Sequence, residues 1–459
     1  MNQIKQLAGQ TAVYGMGTIV PRLINFALLT PFYVRTFSTE SYGSLTELYA
    51  YVVILNVIIS FGMETGFFRF SQDKSTFRSV YTTALLVVTV LSIFLVGLVN
   101  IFLDPLANAI HYEDSKEFLT WFSMIIALDC ISAIPFAKLR RENKARKFAI
   151  LKLINVFITV GIVFFALSIW PELVEQNPDS WFNSLYNPDL GVGYVFLTNL
   201  IASSVIFILL IPEYRFLGGP LNRKILVNLL KYSVPLVIVG IAGSINEVAD
   251  KILLKFWFTG ENAMEQVGKY GANFRLAVLM TLFVQMFKYA FEPFLFAQKK
   301  GNDSHAIHVQ IMDVFVAIGV VIFLMVSFYL EPLHRLFLGH QGKGWEEGIR
   351  VVPIVLMANL FLGIYFTLSV WYKISDLTRY AAVMALGGSV ITIVLNAILI
   401  PKYSYMGSAW AHLSCYTAMM VVSYLWGRKY MPIPYHVKRV LLYIGLALGL
   451  YFLNAQMTI

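Results

Sequence analysis

The sequence has little charge and almost no cysteine, and both shortages exclude whole classes of protein. Only 13% of its 459 residues are charged, whereas a typical soluble domain has about 25% charged residues. Hydrophobic residues make up 58% of the chain, so a soluble fold would lack the polar surface to cover itself. The two cysteines, Cys130 and Cys415, lie within hydrophobic segments and supply neither a disulfide framework nor the spacing of a metal site.

The sequence also lacks the motifs that are typical of soluble enzymes. The sequence contains no phosphate-binding glycine loop of the P-loop type, no histidine-rich metal motif and no nucleophile elbow. The longest predicted outer connections, 171–191 and 331–348, are too short to fold as catalytic domains. We therefore predict a protein that is not an enzyme and has no resident cofactor. A membrane-embedded glycosyltransferase or polymerase is the least favoured alternative.

Long hydrophobic segments make up most of the sequence. Each run of about 20 residues, at 1.5 Å rise per residue, can cross a hydrocarbon core of roughly 30 Å, and a helix satisfies its own backbone hydrogen bonds in lipid. We predict an all-α integral membrane protein with thirteen spans: 11–34, 43–63, 79–103, 117–137, 148–170, 192–212, 232–257, 270–297, 308–330, 349–371, 380–400, 407–427 and 437–456.

The distribution of basic residues predicts the orientation. The segment Lys138–Lys147 is strongly basic, whereas the loop 171–191 contains no lysine or arginine. Because cationic residues resist translocation, the N-terminus is predicted to be cytoplasmic. The net charge of +9 is then explained by inner loops that face anionic lipid, and no nucleic-acid partner is predicted.

Short sequence matches relate the two halves of the chain. Ser41–Gly43 matches Lys269–Gly271, and Lys147–Ala149 matches Arg379–Ala381 at a similar offset. These matches predict an N-terminal six-helix lobe (1–215), a C-terminal six-helix lobe (216–430) and an additional transmembrane helix (431–459). Because each repeat has an even number of spans, both repeats begin on the same side of the membrane and have the same orientation in it. Transporters whose two bundles rock around a central cavity are built in this way.

A polar stripe runs along the first span. Tyr14, Thr18, Arg22 and Asn25 follow helical spacing, and Pro21 is expected to loosen the backbone hydrogen bonds beside them. Arg22 has no acidic partner on its own helix. A charge at the bilayer centre costs at least about 2.5 kcal/mol unless it meets a partner or water, so Arg22 is predicted to line a cavity. Its guanidinium suits phosphate oxygens.

Further ionisable groups lie in or at the ends of other predicted spans. Glu247, Asp250 and Lys251 share one helical face, as do Gln285, Lys288 and Glu292. Arg275 lies nearer the outer end of its span, and Glu47, Glu64 and Arg69 lie along the second span. In a purely structural alternative, Glu247 and Lys251, and likewise Lys288 and Glu292, neutralise each other as i,i+4 pairs. The span-end residues Glu64 and Arg69 are also compatible with snorkelling to the interface.

An ordered set of segments resembles bacterial polysaccharide flippases, the O-antigen and capsule branch of the multidrug/oligosaccharidyl-lipid/polysaccharide exporter superfamily. The resemblance covers about residues 10–427. The segments that carry it are Phe37–Gly43, Phe61–Arg69, Lys138–Ala149, Tyr232–Leu236, Asp250–Lys251, Val267–Gly271, Glu292–Phe294, Asn396–Pro401 and Gly407–Ala409. The thirteenth span departs from the family's usual twelve or fourteen.

The resemblance implies a function in lipopolysaccharide or other surface polysaccharide biosynthesis. It implies a V-shaped pair of lobes that move an undecaprenyl-diphosphate-linked oligosaccharide from the inner to the outer leaflet of the bacterial cytoplasmic membrane. Expected partners are this lipid-linked substrate, membrane lipids and other glycan-assembly proteins, with H⁺ or Na⁺ as the coupling ion. The predicted site residues are Arg22, Asn25, Arg275 and Lys288 for the diphosphate and cavity; Glu247, Asp250 and Lys251 for ion coupling; and Glu47, Glu64, Arg69 and Glu292 for gating or the cavity.

Two other transport functions remain open at this stage. One is a lipid II flippase, since Pro21–Leu23 resembles the arginine-containing first span of that family. The other is a drug/cation antiporter of the same superfamily, although such exporters favour an acidic cavity.

Overall fold

A computed structural model describes residues 17–73, 75–177, 179–215, 218–297, 302–339, 344–375, 377 and 379–457, with the side chains at 182, 289–297, 302–304 and 457 left out. Every regular element in these ranges is helical. Tyr14, the first residue of the predicted polar stripe, and the side chain of Glu292 lie outside the described part.

The helices of the first half have the following bounds: α1 (Gly17–Thr36), α2 (Thr39–Ser60), α3 (Met63–Phe70), α4 (Phe77–Ile101), α5 (Leu103–Ile110), α6 (Lys116–Arg141), α7 (Ala145–Gln176), α8 (Gly193–Leu209) and α9 (Ile211–Tyr214). The second half forms α10 (Arg223–Trp257), α11 (Ala263–Leu276), α12 (Val278–Ala297), α13 (Asn302–Phe328), α14 (Leu330–Leu338), α15 (Val351–Leu368), α16 (Val370–Ile374), α17 (Arg379–Tyr430) and α18 (Val437–Met457). Short 3₁₀ helices lie at Glu113–Ser115, Trp181–Leu185, Pro188–Leu190 and Trp345–Arg350.

The prediction of a multi-pass helical membrane protein is confirmed. Ten helical stretches of the described chain are long and apolar enough to cross a membrane, or eleven when α11 and α12, bent by 52°, count as one span. The number is below thirteen for two reasons. Helix α8 has only 17 residues, and α17 alone covers two predicted spans. The additional C-terminal span is present as α18.

A break divides α17 where the sequence predicted a connection between two spans. Its 52 residues, at 1.5 Å each, are far too long for one crossing of roughly 30 Å. Ser404 has φ 51° and ψ −138°, outside the helical region, and Pro401 precedes it. Proline removes a helical hydrogen-bond donor, so the two apolar segments on either side can take separate directions.

A π-helical turn interrupts α1 at Asn25–Leu29, four residues after Pro21. The sequence predicted a loosened backbone at this proline, and π turns inside α-helices occur often at functional sites. The turn contains Asn25, so the predicted polar stripe does not follow a regular 3.6-residue period throughout.

The chain forms two compact units, with residues up to 29 and 51–241 in the first and residues 30–50 and 242–459 in the second. The boundaries between them lie within α2 and α10 and next to the π turn of α1. In the first unit, a core of α6, α7 and α8 contains Phe136, Leu139 and Phe148. The assignment of 1–215 and 216–430 to two lobes stays a prediction, since compactness and membrane repeats divide a chain by different criteria.

Aromatic and glycine contacts shape the second unit. Trp371 is buried and stacks on Tyr430 at 5.4 Å. Helices α2 and α11 cross so closely that a Cβ at Gly268 would overlap the carbonyl oxygen of Thr39, and a Cβ at Gly43 would overlap that of Met264. Small residues permit such backbone approach between membrane helices.

We expect Gly268→Ala to destabilise the second unit by about 1–3 kcal/mol or more, because the overlapping atom belongs to the backbone and cannot rotate away. Gly387 in α17 is the matched control, since a Cβ there meets nothing within 4 Å. In a helix interior, alanine is also more stabilising than glycine by roughly 1 kcal/mol. The thermal unfolding midpoint of the detergent-purified protein should fall for Gly268→Ala and hold or rise for Gly387→Ala. The same midpoint for both variants would contradict the close crossing.

Candidate functional site

Five charged residues of the first unit form a group that we call the Lys152 cluster: Arg22, Glu64, Asp129, Arg140 and Lys152. The charges of the other four all act on the Lys152 ammonium. They come from α1, α3 and α6, while Lys152 lies on α7 with its ammonium 4.3 Å from the centre of the Phe136 ring. Three basic side chains stand against two acidic ones, so by formal charge the cluster has an excess of one positive charge.

Asn25 follows Arg22 by three residues on α1. Arg22 is exposed and Asn25 is half-buried. The Asn25 Oδ1 is buried without a hydrogen-bond partner, although a buried polar atom normally has one. Arg22 is thus exposed in the structure, and its place in the wall of a cavity stays a prediction.

The acids of the Lys152 cluster are partly neutralised. Glu64 forms an ion pair with Arg140, and Asp129 accepts a hydrogen bond of 2.7 Å from Ser203 Oγ. Arg69, predicted to line or gate the cavity, is exposed, and its guanidinium lies 4.5 Å from the centre of the Tyr232 ring.

The basic segment Lys138–Lys147 is largely engaged in structural contacts. Glu213 is buried and binds Lys138 at 2.5 Å and Lys147 at 2.7 Å. Burial alone would raise the pKa of the Glu213 carboxyl, but the two lysines outweigh this and hold the pKa below its usual value. This part of the basic pattern therefore fixes α9 against α6 and α7.

An apolar cavity of about 560 Å³ lies in the first unit between α4 and the start of α10. Leu86, Val90 and Leu226 line it, together with the polar side chains of Asn222 and Arg223. Leu86 and Val90 are also exposed. This cavity can hold a hydrocarbon segment beside a cation.

Three helices of the second unit meet at Asp250, and we call Asp250, Lys251, Tyr270 and His412 the Asp250 site. Asp250 is 1% exposed. Its Oδ1 accepts a hydrogen bond of 3.0 Å from Lys251 Nζ, and its Oδ2 accepts one of 2.5 Å from Tyr270 Oη. His412 Nδ1 lies 3.5 Å from the same Oδ2. The sequence predicted Asp250 and Lys251 and missed the other two.

The alternative pairing of Glu247 with Lys251 is wrong. The Lys251 ammonium contacts the backbone carbonyl oxygen of Glu247 at 3.3 Å, but its ion pair is with Asp250. Glu247 is exposed. The i,i+4 spacing fails here because Asp250 is buried, where an unpaired carboxylate is far more costly than one in contact with solvent.

Glu47 is fully buried and is neutralised by Lys255. Lys255 Nζ donates to Glu47 Oε2 at 3.0 Å, and both side chains are under 10% exposed. The buried pair joins α2 to α10 within the second unit, and the gating role of Glu47 stays a prediction.

The remaining predicted ligands of the diphosphate also lie in the second unit. Arg275 is exposed and hydrogen-bonds to Tyr42. Lys288 is half-buried, with its ammonium 4.8 Å from the centre of the Phe366 ring. The pairing of Lys288 with Glu292 concerns a side chain outside the described residues.

Besides Tyr270, the structure adds Lys152, Lys255 and His412 to the residues predicted from the sequence. Each is an ionisable residue inside a predicted span, which alone marks a candidate functional residue. Lys255 also continues the i,i+4 stripe of Glu247 and Lys251. No group of three or more His, Cys, Asp or Glu side chains suited to a metal ion occurs among the described residues.

Comparisons with known proteins are informative only at the level of structure. No protein-family model and no curated protein matches the sequence. An inward-facing MATE-family multidrug resistance transporter of the MOP superfamily matches with a TM-score of 0.69 and 13% identity, covering 91% of this chain and 97% of that one. The lipid II flippase MurJ in an inward closed conformation matches with a TM-score of 0.70 and 16% identity, covering 96% and 92%. A MOP-superfamily transporter from Pyrococcus furiosus Vc1 matches with a TM-score of 0.62 and 12% identity, covering 93% and 95%.

These structures are transporters and a flippase rather than enzymes. The identities are too low to carry a substrate or a mechanism from one chain to another. The chain is a multi-pass membrane protein with the fold of MATE transporters and the MurJ flippase of the MOP superfamily.

Proposed function

We propose that the protein is a flippase for an undecaprenyl-diphosphate-linked oligosaccharide. It moves this lipid from the inner to the outer leaflet of the bacterial cytoplasmic membrane by ion-coupled alternating access, with its N-terminus in the cytoplasm. Its partners are then the lipid-linked substrate, the surrounding lipids and other proteins of surface-glycan assembly.

The Lys152 cluster carries the proposal. Positive charge is costly within a membrane-spanning segment, so an excess of it is best explained by an anionic ligand. Arginine binds phosphate through two parallel hydrogen bonds, and Arg22 is accessible for such binding. A formal excess of positive charge in this position would disfavour a cationic cargo.

The apolar cavity beside Arg223 supports a lipid cargo. A polyprenyl chain must remain in a hydrocarbon environment while its diphosphate crosses the membrane. Leu86, Val90 and Leu226 offer such an environment in the first unit. A free nucleotide sugar would have no use for this surface.

A second candidate function is flipping of lipid II, and the structural likeness to MurJ favours it. Both substrates have a polyprenyl diphosphate, so the Lys152 cluster suits either. They differ in the sugar and peptide portion.

Deletion of the gene tests the proposed function in cells. We expect loss of the surface glycan and accumulation of its lipid-linked precursor on the inner leaflet, with recovery on complementation, because the precursor is still made but not translocated. Cells that keep the glycan but lose viability through failed wall synthesis would favour the lipid II function. An unchanged surface together with drug sensitivity would contradict both.

A further inference from the structure

The buried carboxylate of Asp250 already has a cation. Lys251 Nζ lies 3.0 Å from Oδ1, and Tyr270 donates to Oδ2. The Lys251 ammonium also lies 4.0 Å from the centre of the Phe274 ring. This ring offers it a second favourable contact, because aromatic faces attract cations.

His412 is the unsatisfied member of this group. It is 2% exposed, and neither ring nitrogen has a hydrogen-bond partner. Its ring packs edge-on against Phe274 at 5.5 Å and Tyr416 at 4.6 Å. A buried polar group without a partner needs an explanation. Here the nearest acceptor, Asp250 Oδ2, is 3.5 Å away, just beyond a normal hydrogen bond.

We propose that His412 and Asp250 form the binding site for a coupling proton. The inference rests on the proposed ion-coupled transport. A proton from water binds the lone pair of His412 Nδ1 and gives an imidazolium, which donates a charge-assisted hydrogen bond to Asp250. Two cations then compete for one carboxylate, and the Lys251 ammonium loosens its pair with Asp250 while it keeps its contact with the Phe274 ring. Release of the proton restores the Asp250–Lys251 pair.

The surroundings of Asp250 favour a proton over sodium as the ion at this site. Hard metal cations bind through several oxygen ligands. Around Asp250 the structure instead places the ammonium of Lys251 and the imidazole of His412, with Tyr270 as a hydroxyl neighbour. The ammonium already occupies the position of a monovalent cation.

Each of the three helices that meet at Asp250 contributes a titratable group. Helix α10 supplies Glu247 as well as Asp250 and Lys251, and α11 supplies Tyr270. On α17, Cys415 and Tyr416 accompany His412. The charges that act on His412 are those of Asp250 and Lys251, and the charge of Glu247 acts on Tyr416 at the edge of the site. Because Asp250 and Lys251 balance each other, a proton on His412 leaves the site with a net positive charge.

Reconstituted flipping assays test the proton site. Wild-type protein in sealed proteoliposomes should flip lipid-linked oligosaccharide faster under a pH gradient in sodium-free choline buffer. His412→Gln should lose this gradient-driven component, measured as the ratio of the rates with and without the gradient. His334→Gln is the matched control, because His334 is a buried histidine of the same unit on α14 and hydrogen-bonds to the Trp345 backbone. A sodium gradient that drives the wild type without a pH gradient, or a His412→Gln variant as responsive as wild type, would overturn the proposal.

A measurement without substrate separates this proposal from the proposed function. A ligand that binds only the folded state raises the unfolding midpoint. Because the proposed proton binds the folded state, lowering the pH should raise the midpoint of wild type relative to that of His412→Gln. Replacement of choline by sodium should leave both midpoints unchanged. If His412→Gln does not fold, His412→Asn replaces it in this measurement. This difference without any lipid flipping would refute the proposed function and leave the proton site. Equal pH dependence in the two proteins would refute the site.

Discussion

In the Arg22→Ala variant, flipping of the lipid-linked oligosaccharide should fall by roughly ten- to a hundredfold. The estimate takes about 1.5–3 kcal/mol for the hydrogen bonds between the guanidinium and a charged phosphate. Arg22 is accessible, lies three residues before the π turn of α1, and belongs to a cluster with excess positive charge. The initial flipping rate in proteoliposomes, normalised to protein in the membrane, measures the effect.

Two further variants sharpen this prediction. Arg22→Lys should recover part of the rate, since an ammonium keeps the charge and loses the planar pair of donors. Arg215→Ala should leave the rate unchanged, because Arg215 is an exposed arginine of the same unit that follows α9, outside the spanning helices. Normal surface glycan in cells with Arg22→Ala would contradict the cationic substrate site.

Asp250→Asn should abolish the dependence of transport on the ion gradient. The asparagine amide has no negative charge for Lys251 and a protonated His412 to compete for. The site therefore cannot alternate between an Asp250–Lys251 pair and an Asp250–His412 pair. Movement of substrate down its own gradient should continue, and an ionophore should no longer slow export. Unchanged ionophore sensitivity in this variant would exclude Asp250 from coupling.

The same substitution is expected to reduce stability. Removal of one partner of a buried ion pair costs about 3–5 kcal/mol, because the other charge remains buried. The double variant Asp250→Asn/Lys251→Met removes both charges and should recover much of this loss without restoring coupling. A double variant that restores ionophore sensitivity would show that the defect was one of folding.

Most of the fold could be predicted from the sequence because hydrophobic length is a local property. Twelve predicted spans, and residues 17–34 of the first, fall largely on helices in the described part of the chain, although the span 270–297 bends by 52° between α11 and α12. The predicted connection between the spans 380–400 and 407–427 coincides with the break at Ser404. The unit boundaries within α2 and α10 could not be predicted. They depend on tertiary packing, such as the crossing of Gly43 and Gly268, whereas the hydrophobic pattern runs through them without change.

The site could be predicted only within single helices. Helical periodicity places Glu247, Asp250 and Lys251 together, but it cannot tell which acid is buried and which is exposed. That difference assigns Lys251 to Asp250. His412 is far from Asp250 in sequence and reaches it only through the packing of α17 against α10. The approach of Lys152 to Arg22 likewise depends on how α7 lies beside α1.

The most direct test of the proposed function is a flipping assay with purified protein in sealed proteoliposomes and three labelled cargoes: an undecaprenyl-diphosphate-linked oligosaccharide, lipid II and a lipophilic cationic drug. We predict rapid translocation of the lipid-linked oligosaccharide, and loss of that activity in Arg22→Ala. Transport of the cationic drug without movement of either polyprenyl diphosphate would contradict the proposal that this protein carries an anionic lipid.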